Sequence, residues 1–153
     1  FTGVDRRFTY RGIYKNLEIF DDYGHHPTEI VCTLKNAVRR AEGKPVTVIF
    51  QPHRYSRTQT LWKEFTTAFI GTNIDHLIIT DLYSADEQPI ENISSDKLVE
   101  EIRKLNPTFT VDYVPYEDNH SSIISYIEQN IPHSGLLLLQ GAGSVTKISR
   151  SLL

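Results

Sequence analysis

The sequence has a single cysteine and no methionine in 153 residues. One thiol excludes an intramolecular disulfide framework, and Cys32, set among Ile30, Val31 and Leu34, is expected to be a buried, inert helical thiol. No apolar run approaches the roughly 20 residues that a membrane span requires, and no signal-peptide pattern marks the opening residues. These absences predict a cytosolic setting with no membrane partner. A formal net charge of −3 leaves no general excess of positive charge with which to hold nucleic acid. The start at Phe1, without a methionine, is expected of a piece of a longer protein.

Several motifs are also missing. In Gln140-Gly141-Ala142-Gly143-Ser144-Val145-Thr146-Lys147, Thr146 stands where G-x-G-x-x-G needs its third glycine. Thr146-Lys147-Ile148 likewise fails the Gly-Lys-Ser/Thr of a phosphate loop. The stretch is expected to be a tight strand-to-helix turn that lines a site through its backbone. His25, His26, Asp21, Asp22 and His53 are residue types that suit zinc, but adjacent histidines on a turn point apart, and there is no H-x-x-x-H or C-x-x-C pair. No metal site is predicted. No serine or cysteine is visibly partnered to a histidine, which leaves little ground for a hydrolase.

What is present is an alternation of apolar strands and amphipathic helices. Residues 8–14 read as a strand, and Lys15-Asn16 turns tightly into a second over 17–21, so the two must be antiparallel. Ile30, Leu34, Val38 and Ala41 recur at helical spacing before Gly43 and Pro45. The continuous apolar run 46–50 suits a central parallel strand covered on both faces. Leu61, Phe65, Ala68 and Phe69, with Trp62 beside them, mark one helix ending near Gly71. A strand over 76–80 leads into a polar loop over 81–92. Leu98, Ile102 and Leu105 define a helix closed by Asn106-Pro107, followed by a strand over 110–114. Ile123, Ile127 and Ile131 define another helix, followed by a strand over 136–139 and a final helix with Val145, Ile148 and Leu152. The pattern predicts a single α/β domain over 1–153. Its three Rossmann-like layers hold a mostly parallel six-stranded sheet, with one antiparallel strand from the N-terminal hairpin.

Two polar clusters follow strands in this scheme. Asp21-Asp22-Tyr23-Gly24-His25-His26-Pro27-Thr28-Glu29 lies between a strand and the helix that Pro27 opens. Gln51-Pro52-His53-Arg54-Tyr55-Ser56-Arg57-Thr58 follows the 46–50 strand. In open α/β sheets, ligands bind beyond the carboxyl ends of the strands. Arg54 and Arg57, three apart at a helix start, can converge with His53 alongside, a set suited to clamping a carboxylate or phosphate. On residues alone, a stand-alone α/β module that binds a small anion without catalysis stays open.

The two clusters, in this order and spacing, resemble the C-terminal domain of the Mur ligases, specifically of the member that adds L-alanine. The opening Gly3-Val4-Asp5-Arg6-Arg7-Phe8 and the closing Gln140-Gly141-Ala142-Gly143 resemble the same domain's ends. The Mur ligases that recycle muramoyl tripeptide keep D-D-F/Y-A-H-H-P-T but lack Q-P-H-R. The resemblance implies a lid-like C-terminal domain of a three-domain enzyme, with the UDP-binding and central ATPase domains outside this chain. It further implies that ATP, with magnesium, phosphorylates the lactyl carboxylate of UDP-N-acetylmuramate. The amine of L-alanine then attacks the acyl phosphate in peptidoglycan precursor synthesis. By motif, Tyr23, His25, His53, Arg54 and Arg57 are implied to hold the alanine carboxylate, and Arg7 and Asp22 to contact the nucleotide. ATP and magnesium are implied to rest mainly on the central domain, and no catalytic residue is expected in this domain alone. His26 is expected to cap the Pro27 helix. Asp86, in Leu82-Tyr83-Ser84-Ala85-Asp86-Glu87, stands where a small or basic residue is expected, and that loop is assigned no function.

Overall fold

Lys15 and Asn16 both take left-handed backbone, φ 46° and 70°, the pair of positive angles that a tight two-residue hairpin turn needs. They fold β1 (Thr9–Tyr14) antiparallel onto β2 (Leu17–Asp22). The computed structural model describes residues 7–153; residues 1–6, including positions 3–6 of the opening motif, lie outside the described residues. After β2 come α1 (Pro27–Ala41), β3 (Val46–Phe50), α2 (Tyr55–Thr60), α3 (Trp62–Ala68), β4 (His76–Ile79) and α4 (Ser95–Leu105). The chain closes with β5 (Val111–Tyr113), α5 (Ser121–Asn130), β6 (Gly135–Gln140), a 3₁₀ turn (Ser144–Lys147) and α6 (Ile148–Leu152).

The six strands lie in the order β1-β2-β6-β3-β4-β5, with every pair but the opening hairpin parallel. This is the predicted mixed sheet. The last strand of the chain is therefore threaded between β2 and β3. Because side chains alternate across a strand, neighbours in sequence part to opposite faces. Phe20, Phe50, Ile79 and Leu138 meet Ile30 and Leu34 of α1, Phe65 of α3 and Leu98 of α4. Ile19, Ile49, Ile78 and Leu137 meet Ile123 and Ile127 of α5 and Ile148 of α6. Each fully buried Leu, Ile or Phe contributes about 1.5–3 kcal/mol, so the two layers account for the uninterrupted apolar runs of β3 and β6.

Two sequence expectations are corrected. Cys32 is exposed. The inward positions of α1 are Ile30, Thr33, Leu34, Ala37 and Ala41, and a residue two after Ile30 is turned about 200° away from it around the helix. The single helix expected up to Gly71 is two short ones, broken at Leu61 (φ −106°, ψ 21°). Phe65, Ala68 and Phe69 still face the core. Among the described residues, no helix is long and apolar enough to cross a membrane.

Candidate functional site

The register places Asp22 and Phe50 both beside Gln140, so β2, β6 and β3 end on one line. With neighbouring strands about 4.8 Å apart, the loops that leave them must share one rim. Two buried glutamines stitch those loops together. Gln140 Nε2 donates to Asp22 Oδ2 at 2.9 Å and to the Gly24 carbonyl at 2.6 Å. Gln51 Oε1 accepts from the Val145 amide at 2.9 Å, and its Nε2 donates to Ser144 Oγ at 3.1 Å. The packing leaves no room for a Cβ at either Gly24 or Gly143. A Cβ on Gly24 would sit 2.8 Å from Asp22 Oδ2, and one on Gly143 would sit 2.6 Å from Tyr83 Cγ.

Four rings run along this rim. Tyr23 meets His25 edge-on at 5.5 Å, His25 lies 5.6 Å from His53, and His53 stacks on Tyr83 at 5.4 Å with 13° between planes. The two motif loops therefore meet, as the carboxylate-clamp reading requires. Arg54 and Arg57 share an open hollow beside them with Ser56, Thr60 and Leu61. Arg54 has φ 72° and ψ 139°, unusual for a residue with a Cβ. Its amide donates to the Tyr83 carbonyl at 2.7 Å, and its carbonyl accepts from the Thr58 amide at 3.2 Å and Thr58 Oγ1 at 2.7 Å. His53 Nδ1 and Arg57 Nε are both buried without a hydrogen-bond partner. Burial holds the His53 imidazole below its usual 6.5, and the charges of His25, Arg54 and Arg57 push the same way, so the ring is neutral at physiological pH.

Arg7 and Asp22 line a second hollow with Phe8, Tyr23, Glu29 and Cys32. The Asp22 carboxylate is heavily engaged. Oδ2 accepts from the Gly24 amide (2.9 Å), Gln140 Nε2 (2.9 Å) and Thr33 Oγ1 (3.2 Å), and Oδ1 accepts from the Phe8 amide at 2.8 Å. Among the described residues, the Phe8 amide is the one donor to Oδ1. His26 caps α1 as expected: its Nδ1 accepts from the Thr28 amide at 3.2 Å, while Glu29 Oε1 accepts from the His26 amide at 3.1 Å. Asp21 faces elsewhere, bound to Arg11 Nη2 at 3.2 Å and to Thr146 Oγ1. Among the described residues, no three His, Cys, Asp or Glu side chains gather as metal ligands.

Sequence reasoning assigned nothing to Tyr83 and Glu87, yet both hold the loop of the second motif. The Tyr83 amide donates to the Pro52 carbonyl at 2.8 Å, forming an isolated parallel bridge with His53. Glu87 Oε1 accepts from the Ser56 amide at 3.0 Å, and its Oε2 accepts from Ser56 Oγ. Ala85 and Asp86 carry φ 51° and 68° in the turn closed by the Glu87 amide on the Ser84 carbonyl. This explains the unexpected Asp86, since aspartate tolerates the left-handed region better than most side chains.

The Mur ligase, glutamate ligase domain model matches residues 6–143. The chain is 43% identical, over all 153 residues, to the UDP-N-acetylmuramate--L-alanine ligase of Syntrophus aciditrophicus, and covers 30% of it. Over the same span it is 40% identical to the ligase of that name from Myxococcus xanthus, covering 31% of it. It thus spans less than a third of the length of these curated relatives. Among solved structures, the murein peptide ligase of Psychrobacter arcticus superposes with a TM-score of 0.74 at 18% identity, over 96% of this chain and 29% of that one. The UDP-N-acetylmuramate-alanine ligase of Thermotoga maritima does so with a TM-score of 0.63 at 24% identity, again over 96% and 29%. Those two likenesses establish a shared fold. The domain match, which runs over nearly all of the described residues, establishes the lineage: the chain belongs to the Mur ligase family, as its glutamate ligase domain.

Proposed function

We propose that this chain is the C-terminal domain of an ATP-dependent ligase that joins L-alanine to UDP-N-acetylmuramate in peptidoglycan precursor synthesis, with UDP-binding and ATPase domains outside the chain. The observation that carries the reading is the pair of buried, unpartnered nitrogens on His53 and Arg57, beside the point where the rings of the first motif meet those of the second. Leaving a buried donor unpaired costs about 1–3 kcal/mol, and a carboxylate docked at this rim would relieve that cost. The alanine ligases among the relatives support this choice of substrate over a stand-alone anion module.

In this reading Arg54 and Arg57 receive the amino-acid carboxylate as charge-assisted donors. His53, neutral by its surroundings, contributes a hydrogen bond without adding a third cation, and Tyr23 and His25 close the rim. Arg7 and Asp22 turn toward the nucleotide, with a ribose hydroxyl as the donor to the Asp22 carboxylate. When bound, ATP would give its terminal phosphoryl group to the carboxylate of UDP-N-acetylmuramate and leave as ADP, the phosphate departing when the alanine amine forms the amide, and magnesium would rest mainly on the ATPase domain against which this chain packs. The chain's own contribution is positioning and charge, which dominate such reactions. It is not expected to turn over alone.

Alanine-dependent ADP release by the protein carrying its upstream domains tests the proposal. Arg54→Ala and Arg57→Ala should each cut kcat/KM for alanine about 10- to 100-fold, the loss of a charge-assisted contact of roughly 1.5–3 kcal/mol. Undiminished release in both variants would remove the clamp, and release that ignores alanine altogether would favour the anion module.

A further inference from the structure

The loop after β4 has no assigned role, yet it holds the chain at Arg54 through Tyr83 and at Ser56 through Glu87. We propose that Glu87 is a positioning residue of the Arg54–Arg57 clamp, holding the first turn of α2 so that both guanidiniums are set for a carboxylate. The inference rests on the carboxylate-clamp reading above.

Arg54 carries a backbone conformation that is costly for a residue with a Cβ, and such a conformation persists only where its surroundings over-determine it. One restraint comes from Tyr83, whose carbonyl accepts the Arg54 amide while its ring lies on His53. Glu87 supplies the other. Its carboxylate takes both the amide and the hydroxyl of Ser56, which lies between Arg54 and Arg57 in the chain. The α2 N-cap has no side-chain cap bond of its own, so the cap reaches in from 31 residues away. Reaching it requires two successive left-handed residues, Ala85 and Asp86, neither of them glycine. The hydrogen bonds from Ser56 hold the Glu87 carboxyl below its ordinary range, and the nearby Arg54 charge adds to this. An anion so placed repels a second carboxylate and cannot itself hold the carboxylate of the substrate. Its contribution is the rigidity of the turn that can.

The test uses the protein with its upstream domains and steady-state kinetics with alanine varied. Glu87→Ala should raise KM for alanine about tenfold while kcat and KM for ATP stay within about twofold. Glu87→Gln keeps an oxygen acceptor for Ser56 and should bring KM back to within about threefold of the parent. Ser56→Ala, which spares the amide contact, should raise KM about threefold and serves if Glu87→Ala does not fold. An unchanged KM in Glu87→Ala and Ser56→Ala, alongside a raised KM in Arg54→Ala, overturns the positioning role and leaves the clamp standing. If Arg54→Ala is also silent, the clamp itself fails and takes this inference with it. A fall in kcat and melting temperature with no rise in alanine KM marks Glu87 as structural only, which also overturns the proposal.

Discussion

At the edge of the sheet, His76, Asp112, Tyr126 and Arg103 satisfy one another, whereas at the ends of β2 and β3, His53 and Arg57 each keep a buried nitrogen without a partner. The two clusters draw on the same residue types. In the first, His76 Nε2 lies 3.3 Å from Asp112 Oδ2 and 2.9 Å from the Tyr126 hydroxyl, which donates to the same carboxylate. Arg103 Nη2 donates to Asp112 Oδ1 and to the Val111 carbonyl. Burial lowers the pKa of both histidines, but at His76 the Asp112 charge opposes it, whereas at His53 neighbouring His25, Arg54 and Arg57 reinforce it and Glu87 opposes. The first cluster is a staple between α4, β5 and α5. The second is an incomplete polar network, and such networks are unfavourable unless something else completes them.

This contrast can be broken experimentally. The largest expected effect is that of Arg57→Ala: kcat/KM for alanine falls about 10- to 100-fold while the melting temperature holds, because the residue removed carries an unpaired buried donor. A collapse in stability would make Arg57 a staple like Arg103. Next comes Gly143→Ala, whose Cβ would press 2.6 Å from Tyr83 Cγ and 2.7 Å from Gln51 Oε1. It should cost about 1–3 kcal/mol in denaturant unfolding and raise the alanine KM by shifting Tyr83 off His53. Tyr126→Phe should do the reverse, losing about 0.5–1.5 kcal/mol of stability with alanine kinetics unchanged.

The smallest effect is one of pH. An unfolded histidine takes a proton near 6.5, while folded His53, with its pKa held lower, resists it. The unfolded state therefore binds more protons, and stability declines as pH drops below 6.5 until it passes the folded value. His76 and His120 act with the same sign. The lowered carboxyls Glu29 and Glu87 lose their contributions only below 4.5, a separate window. Urea midpoints measured between these limits should show a shallower slope in His53→Asn, and an unchanged slope would contradict the burial assigned to that ring.

Local features were legible in the sequence wherever one stretch decided them. The Lys15-Asn16 turn, the Pro27 helix start and the doubly covered β3 all follow from neighbouring residues. The insertion of β6 between β2 and β3 was not legible, because pairing 17–22 with 135–140 leaves no local trace. Nor was the break at Leu61, since Phe65, Ala68 and Phe69 keep the spacing of one continuous helix. Cys32 was misplaced because apolar sequence neighbours on a helix point in different directions. The meeting of Tyr23 and His25 with His53 could be anticipated from two loops at strand carboxyl ends. Glu87 was hidden, because its partner Ser56 lies 31 residues away and the turn that aims it turns on Asp86, which looked out of place.

The most direct test is a cycle on the ligand. ADP release by the protein with its upstream domains is compared for L-alanine and L-alaninamide, which lacks the carboxylate, in the parent and in Arg54→Ala. The preference for the free carboxylate in the parent should shrink by at least about tenfold in the variant. A preference that survives Arg54→Ala at full size would mean that the carboxylate is held somewhere other than the rim where the two loops meet.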